Sequence, residues 1–286
     1  MDQLMRVAAI HDISGVGKCS LTVVLPIISA AGVECAVMPT AVLSTHTGGF
    51  EGVTFRDLTD DMMDMAHHWK KEGVRFDAFY SGYLASVAQI DIVADIFELF
   101  RTPQTLIMVD PVMGDHGQLY KRFATDHVEG MKKLCSYADI IIPNRTEAAL
   151  LLGREYNGGI MNRDEADELV LALGGLGADK VVLTGVSLNE DNLGAACYDV
   201  NVGKIDYIMG TRIEGSYHGT GDVFGSLLLG ALMQGLDLSE AVRIAVDFTC
   251  AAIRLTAVDG RDSRMGVRFE SVLADYAAMF INYVYQ

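Results

Sequence analysis

Cysteine is scarce in this sequence and is never paired in a motif. The five cysteines are odd in number and scattered along the chain, at Cys19, Cys35, Cys135, Cys197 and Cys250. A cysteine zinc site needs closely spaced pairs such as C-x-x-C, and an odd number of scattered cysteines is not typical of a disulfide framework, so we expect neither. The pattern favours reduced thiols in a cytoplasmic protein.

Long apolar runs are also missing. No stretch of the chain approaches the roughly 18 residues that a membrane-spanning helix needs. Residues 1–6 lack the basic start and the cleavage pattern of a signal peptide. We therefore expect neither a membrane span nor export.

Positive charge is in short supply. Lys and Arg total 22 against 38 Asp and Glu, which gives a formal net charge of −16. Nucleic acids and anionic membranes bind basic surfaces, so neither is an expected partner. An acidic protein can still bind a phosphate-rich small molecule where backbone dipoles and metal ions supply the positive field.

The chain has no internal repeat, no low-complexity tract and no linker rich in proline or serine, so a single domain over residues 1–286 is predicted. Short apolar runs alternate with amphipathic segments, which is typical of an α/β fold whose mostly parallel central sheet carries helices on both faces. The predicted strands are 6–10, 34–38, 76–80, 106–109, 140–142 and 181–184, followed by a hairpin of 194–200 and 204–209. The predicted helices are 18–31, 59–71, 87–100, 126–137, 146–152, 164–175, 222–234, 239–256 and 269–285.

Gly219-Thr220-Gly221-Asp222 directly precedes an apolar helical stripe. Two glycines let backbone N–H groups converge, and the positive end of the following helix adds to them, so the segment predicts an anion cradle. A carboxylate beside a phosphate site is useful if it removes a proton, which predicts phosphoryl transfer to a hydroxyl with Asp222 as the base. The alternative is an acidic residue that caps a buried helix.

The first predicted strand leads into a glycine-bearing segment, residues 11–18. A P-loop needs glycine where Asp12 stands and Ser or Thr where Cys19 stands, and a dinucleotide fingerprint needs glycine where Ser20 stands. Neither motif is present. Asp12 is therefore either a carboxylate that faces a polar ligand at a strand end or the N-cap of the next helix.

Three further strand ends carry polar residues. Asp110 and Asp115 could share a divalent cation, or be ordinary solvated loop acids. Asn144 and Glu147 have the spacing of a capping box, or could face phosphates and the water shell of a metal. The Thr184 hydroxyl could reach a phosphate.

Five segments resemble, in order, the pyridoxal/pyridoxamine kinases of the ribokinase-like superfamily. They are 44–49 (S-T-H-T-G-G), 81–84 (S-G-Y-L), 110–115 (D-P-V-M-G-D), 138–144 (A-D-I-I-I-P-N) with Glu147, and 219–222 (G-T-G-D). The last defines the superfamily, whereas the first two together indicate vitamin B6. The resemblance implies a three-layer ribokinase-like fold and ATP- and Mg²⁺-dependent phosphorylation of the 5′-hydroxymethyl group of a pyridine vitamer, in a potassium-using homodimer.

The resemblance also implies site residues. The base is Asp222, in an anion hole of Gly219, Thr220 and Gly221. The resemblance implies that Ser44, His46, Thr47 and Tyr83 line the pocket for the pyridine ring. Asp12 is added as a hypothesis, as a carboxylate within reach of the ring. The resemblance further implies that magnesium is bound by Asp110, Asp115 and Glu147. It implies that the ATP phosphates are bound by Asn144, Glu147, Thr184, Thr220 and Gly221.

Several positions depart from that pattern. Asp12 stands where many pyridoxal kinases have Ser, Ile142 where many have Thr, and Thr45 and Gly49 replace Asn and Tyr. An acid at the position of Asp12 also occurs in hydroxymethylpyrimidine kinases of thiamin synthesis, so that activity, or phosphorylation of another small alcohol, is the alternative. A non-catalytic binding protein is a third class, which the retained Asp222 disfavours. If Asp12 reaches the ring, we expect it to favour pyridoxamine.

Overall fold

The structure is a computed structural model that describes residues 4–260 and 262–281, without the side chain of Ile281. Its strands are β1 (Arg6–Ser14), β2 (Glu34–Leu43), β3 (Phe55–Asp57), β4 (Ala78–Ser81), β5 (Leu106–Val109), β6 (Gly114–Asp115), β7 (Gln118–Leu119), β8 (Ile140–Ile141), β9 (Lys180–Val186), β10 (Asn192–Asp199) and β11 (Lys204–Thr211). Its α-helices are α1 (Leu21–Ala30), α2 (Thr59–Lys71), α3 (Val87–Phe100), α4 (Thr125–Cys135), α5 (Arg145–Leu152), α6 (Arg163–Gly174), α7 (Thr220–Met233), α8 (Leu238–Asp259) and α9 (Leu273–Ile281).

The described chain divides into two units. Unit 1 contains the described residues up to Leu58 and from Arg212 onward, and unit 2 is Thr59–Thr211. Within those residues, no helix combines the length and the apolar character that crossing a membrane requires.

Unit 1 is built on β1, β2 and β3, in that order. β1 pairs parallel with β2, and β2 pairs antiparallel with β3. Residues 7–10 of β1 are completely buried. Because successive side chains point to opposite faces, that strand is covered on both faces, as the unbroken apolar run predicts. Helix α7 is buried along most of its length and packs on α1 and α8.

Unit 2 carries strands in the order β11-β10-β9-β8-β5-β4. β4, β5, β8 and β9 are parallel, and β9, β10 and β11 are antiparallel. The predicted hairpin is therefore confirmed as β10–β11. A separate two-stranded sheet, β6–β7, follows β5 and was not predicted.

Element boundaries follow the prediction closely in three places and differ where polar residues intervene. β5, α2 and α3 have the predicted bounds. β1 continues to Ser14 through an irregularity between His11 and Ile13, so Asp12 lies within the strand and not beyond its end. α1 begins later than predicted, at Leu21.

The C-terminal segment also differs from the prediction. The helix predicted over 269–285 begins as a 3₁₀ turn, Phe269–Ser271, and α9 starts only at Leu273. Its predicted residues 282–285 lie outside the described residues. The expectation of a single domain stays a prediction.

Candidate active site

Asp222 is held at the first turn of α7, in unit 1. Its Oδ2 accepts a hydrogen bond from the backbone N–H of Ser20 at 2.9 Å, and its Oδ1 lies 4.0 Å from Nδ1 of His11. The N-cap residue of α7 is Gly219, and no side chain caps this helix. The alternative interpretation of Asp222 as a capping residue is therefore wrong.

The environment of Asp222 makes its carboxyl a better proton acceptor than an ordinary aspartate. Burial, with a smaller contribution from the nearby Asp12 charge, raises the pKa of Asp222 to about 7, although the hydrogen bond from the Ser20 N–H opposes this shift. A base whose pKa lies near neutrality combines a large ionised fraction with useful basicity. Asp222 can therefore remove a proton from a weakly acidic hydroxyl.

The glycines ahead of Asp222 have different structural roles. Gly219 has φ +77°, and a Cβ there would lie 2.2 Å from the carbonyl oxygen of Lys18, so only glycine fits. At Gly221, which is exposed, a Cβ would meet no atom within 4 Å. The Thr220 hydroxyl donates to the Tyr217 carbonyl at 3.2 Å. The first turn of α7 thus has an open side with N–H groups that lack partners within the helix.

Asp12 is a buried carboxylate in a hydroxyl network. It is 4% exposed, its Oδ1 accepts from the Ser20 hydroxyl at 2.6 Å, and its Oδ2 accepts from the Ser14 hydroxyl at 3.2 Å. Burial raises its pKa, and the two hydroxyl donors oppose that shift. The N-cap residue of α1 is Ser20, so the alternative of Asp12 as the N-cap is wrong. Its contact with substrate stays a prediction.

The loop that carries Ser44, His46 and Thr47 is fixed through His46. Nδ1 of His46 accepts from the Gly48 N–H at 3.0 Å, and Nε2 lies 2.6 Å from the Arg264 carbonyl oxygen. Because a carbonyl only accepts, Nε2 must carry the proton, which defines the tautomer. His46 is 7% exposed, so both ring nitrogens are used within the protein. Thr47 is exposed, and the Ser44 hydroxyl accepts from the Thr54 N–H at 3.0 Å.

In unit 2, Asn144 and Glu147 form a complete capping box at the start of α5. The Asn144 N–H donates to Oε2 of Glu147 at 2.8 Å, and the Met113 N–H donates to Oε1 at 3.2 Å. The Asn144 amide also donates to the Gly114 carbonyl at 3.0 Å. Glu147 is 3% exposed, and burial raises its pKa despite these donors. The capping interpretation is confirmed, and any role toward phosphate adds to it.

The other residues predicted for nucleotide and metal lie at neighbouring strand ends of unit 2. Thr184 lies within β9, forms a parallel bridge with Asn144, and donates from its backbone N–H to the Pro143 carbonyl at 2.9 Å. Asp110 follows β5 and is 7% exposed, whereas Asp115 lies in β6 and is exposed. The Tyr83 ring lies 5.7 Å from that of Phe123.

No ready-made metal centre is present: among residues 4–260 and 262–281, no three His, Cys, Asp or Glu side chains are grouped to hold a metal ion. Both oxygens of Glu147 already accept backbone N–H groups. The carboxylates of Asp110 and Asp115 are hard oxygen donors, and Mg²⁺ is commonly bound by one or two carboxylates together with phosphates and water. The donor set fits magnesium that arrives with a nucleotide.

Sequence reasoning missed three residues of this site. Ser14 and Ser20 hold Asp12, and Arg264 holds His46 through its carbonyl. For Ser20 the sequence contained one signal, because a dinucleotide fingerprint has glycine at that position. The structure agrees, since Ser20 has φ 56°, a backbone conformation typical of glycine. The structure also brings His11 to Asp222, a proximity that its position next to Asp12 did not reveal.

Comparison with known proteins gives one family match. Residues 25–266 match the family model described as phosphomethylpyrimidine kinase. An Arabidopsis thaliana pyridoxal kinase is 30% identical over 63% of this chain, and the matched part spans 58% of that protein's length.

Solved structures cover more of the chain. A candidate phosphomethylpyrimidine kinase from Bacteroides thetaiotaomicron, crystallised in a form with pyridoxal, is 39% identical with a TM-score of 0.91 and 96% coverage of both chains. Pyridoxal kinase from Lactobacillus plantarum is 33% identical with a TM-score of 0.89, covering 99% of this chain and 100% of its own. The predicted fold class, a mostly parallel central sheet flanked by helices, is confirmed.

Proposed function

Because the chain belongs to the pyridoxal kinase family of the ribokinase-like superfamily, we propose that it transfers the γ-phosphoryl group of ATP to the 5′-hydroxymethyl group of a vitamin B6 vitamer. The candidate vitamers are pyridoxamine, pyridoxal and pyridoxine. The observation that carries the proposal is Asp222, whose carboxyl has a pKa of about 7 and lies in the first turn of a helix with an open, glycine-lined start.

In this proposal, Asp222 removes the proton of the hydroxyl as the new O–P bond forms. Phosphoryl transfer needs little covalent chemistry from the protein, so positioning and charge stabilisation dominate. The backbone N–H groups around Gly219, Thr220 and Gly221 stabilise the charge on the transferred group. Asp12, Ser44, His46, Thr47 and Tyr83 bind the vitamer.

The residues of unit 2 are proposed for the nucleotide. Asn144, Glu147 and Thr184 lie along the phosphates, and Asp110 and Asp115, with Glu147, hold magnesium. Magnesium would neutralise charge on the phosphate oxygens. The use of potassium and the formation of a homodimer also remain proposals.

A second substrate is supported by a separate observation. The matching family model is described as phosphomethylpyrimidine kinase. In addition, Asp12 is the residue that this chain shares with hydroxymethylpyrimidine kinases at a position where many pyridoxal kinases have Ser. A hydroxymethylpyrimidine presents the same primary alcohol on a similar ring. The reaction would be unchanged, and only the contacts to the ring would differ.

The test is an ADP-release assay with ATP, Mg²⁺ and K⁺, in which pyridoxamine, pyridoxal, pyridoxine and hydroxymethylpyrimidine are compared. Turnover of the pyridines that is lost in Asp222→Asn supports the proposal, and a mass increase of one phosphate identifies the product. Turnover of hydroxymethylpyrimidine alone would overturn the vitamin B6 proposal and support the second substrate. Full turnover in Asp222→Asn would overturn the assignment of the base.

A further inference from the structure

Ser20 contacts the carboxylates of both Asp12 and Asp222 in unit 1. Its backbone N–H donates to Oδ2 of Asp222 at 2.9 Å, and its hydroxyl donates to Oδ1 of Asp12 at 2.6 Å. Ser20 is itself 5% exposed. The two acids are therefore linked through a single side chain and its own peptide group, with little access for water.

The backbone of Ser20 is strained. Its φ of 56° and ψ of −135° lie in a region that glycine adopts freely and other residues rarely occupy. In this conformation the N–H of Ser20 donates to Asp222. Its carbonyl accepts the first hydrogen bonds of α1, from the N–H groups of Val23 and Val24 at 2.9 Å. The same residue thus starts α1 and holds Asp222.

Glycine would relieve this strain but would remove the hydroxyl. Asp12 is 4% exposed, and its other oxygen has only a longer bond, 3.2 Å, from the Ser14 hydroxyl. A buried carboxylate that loses a donor keeps its desolvation cost without compensation. Serine is therefore the residue that meets both demands at this position.

We propose that Ser20 is a positioning residue for phosphoryl transfer, which fixes Asp222 through its N–H and holds Asp12 through its hydroxyl. The hydroxyl hydrogen bond favours the ionised form of Asp12 over its protonated form. The charge of Asp12 makes a second charge nearby unfavourable, so Asp222 binds a proton more readily and becomes a stronger base. The inference rests on the proposed role of Asp222.

The other titratable groups around this pair belong to His11, Cys19 and His46. His11 lies 4.0 Å from Asp222, and both ring nitrogens of His46 form hydrogen bonds, with Gly48 and Arg264. Burial raises the pKa of the Cys19 thiol, and the charges of Asp222 and Asp12 raise it further, so Cys19 is neutral and adds no charge of its own. Among these groups, Asp12 is the one whose ionisation the Ser20 hydroxyl affects directly, through its hydrogen bond.

The test compares Ser20→Ala, Ser20→Gly and the control Thr22→Val. Thr22 is an exposed neighbour whose hydroxyl donates to the Cys19 carbonyl and contacts neither acid. We expect Ser20→Ala to lower kcat about tenfold and to move the acidic limb of the kcat profile to lower pH by about 0.5 unit, because Asp12 is protonated more readily without the hydroxyl. The KM for ATP and the whole Thr22→Val profile should stay unchanged.

Ser20→Gly lacks the hydroxyl but accepts the backbone conformation, so it answers the same question if Ser20→Ala folds poorly. It should show the same shift of the acidic limb with a Tm at least as high as that of Ser20→Ala. An unshifted limb in the folded variant, with or without a loss of kcat, overturns the inference. Asp222→Asn separates the two proposals, because its activity decides the assignment of the base whatever the Ser20 variants do.

Discussion

Oδ1 of Asp222 lies 4.0 Å from Nδ1 of His11, whose side chain is completely buried. Asp222 thus carries its charge in a poorly solvated part of unit 1, where Ser20 supplies one backbone donor and Asp12 adds a like charge. Such a carboxyl costs folding free energy whenever it is ionised. The proposed role of Asp222 as a base and the stability of the fold therefore make opposite demands on this position.

The first prediction is that Asp222→Asn is inactive but more stable at pH 8. With a folded-state pKa of about 7 against the usual 3.8, Asp222 contributes stability that is complete below pH 3.8 and is lost as pH rises through 7. Discounted for the 16% exposure of its side chain, the ionised form costs about 2 kcal/mol. Removing the charge should raise Tm at pH 8 by about 4 °C.

The same variant should lower kcat at least about 100-fold. Thermal unfolding at pH 5, where wild-type Asp222 is mostly protonated, is the internal control, since the difference in Tm should shrink there. An equal difference at both pH values would show that burial of the charge is not the cause.

The second prediction separates the cap from the charge at Glu147. Glu147→Gln keeps the capping box, because glutamine can also accept the Asn144 N–H, but it removes a buried carboxylate. The Met113 N–H, which donates to the other oxygen of Glu147, would face the glutamine –NH₂ and lose its acceptor, so we expect stability to fall by about 1–2 kcal/mol. The Mg²⁺ concentration for half-maximal activity should rise severalfold. The measurement is initial rate against Mg²⁺ at fixed ATP, together with Tm.

A matched control stands at the start of α6, where Asn162 and Glu165 form the same capping box on an exposed surface. Glu165→Gln should change neither the Mg²⁺ dependence nor Tm appreciably. Equal magnesium curves for wild type, Glu147→Gln and Glu165→Gln would remove Glu147 from the metal and phosphate site and leave it as a cap.

The third prediction uses the two glycines before Asp222. Gly219→Ala forces a Cβ to within 2.2 Å of the Lys18 carbonyl and strains a φ of +77°, so it should destabilise the protein by about 2 kcal/mol or more. At Gly221 a Cβ would have no atom within 4 Å, so we expect the Tm of Gly221→Val to stay within a few degrees of wild type while kcat/KM for ATP falls at least about tenfold. Wild-type activity in Gly221→Val would mean that no phosphate approaches this backbone.

Much of the fold follows from apolar patterning, and the exceptions have a physical cause. β5, α2 and α3 were predicted to the residue because their runs are bounded by clear turn residues. β1 was ended too early because His11 and Asp12 are polar, yet tertiary packing buries both. Burial of a polar side chain depends on partners distant in sequence, and local patterning does not reveal them.

The site shows the same limit. Gly219, Thr220, Gly221 and Asp222 were recognisable because their chemistry is local. The hydrogen bond from Ser20 to Asp222 spans 202 positions, and the one from His46 to Arg264 spans 218. Ser20 and Arg264 lie outside the motifs recognised in the sequence, so their contacts with Asp222 and His46 are found only in the structure.

The fourth prediction concerns Arg264, which fastens the loop that bears His46. Besides the carbonyl bond to His46, its guanidinium donates to the Gly49 carbonyl at 3.2 Å, pairs with Asp262, and lies 5.0 Å from the Phe50 ring centre. A Cβ at Gly49 would lie 3.1 Å from the Arg264 side chain. Gly49 also has φ +79°, so a tyrosine at position 49 would strain the backbone and require the arginine side chain to move.

Arg264→Ala should therefore loosen the loop that carries Ser44, His46 and Thr47, which is proposed to bind the vitamer. It should leave the position of Asp222 unchanged. We expect the KM for the vitamer to rise about fivefold, and kcat and the KM for ATP to change less than twofold. Stability should change little, because the ion pair with Asp262 is exposed. Arg264→Lys should restore little, since an ammonium does not reproduce the planar contacts. Arg6→Ala, which breaks the ion pair with Glu34 on the same unit, is the matched control. If Arg264→Ala, like the control Arg6→Ala, leaves the KM for the vitamer unchanged, the Arg264 side chain does not hold the loop. The loop would then be held by His46 alone, and His46→Ala should raise the KM for the vitamer.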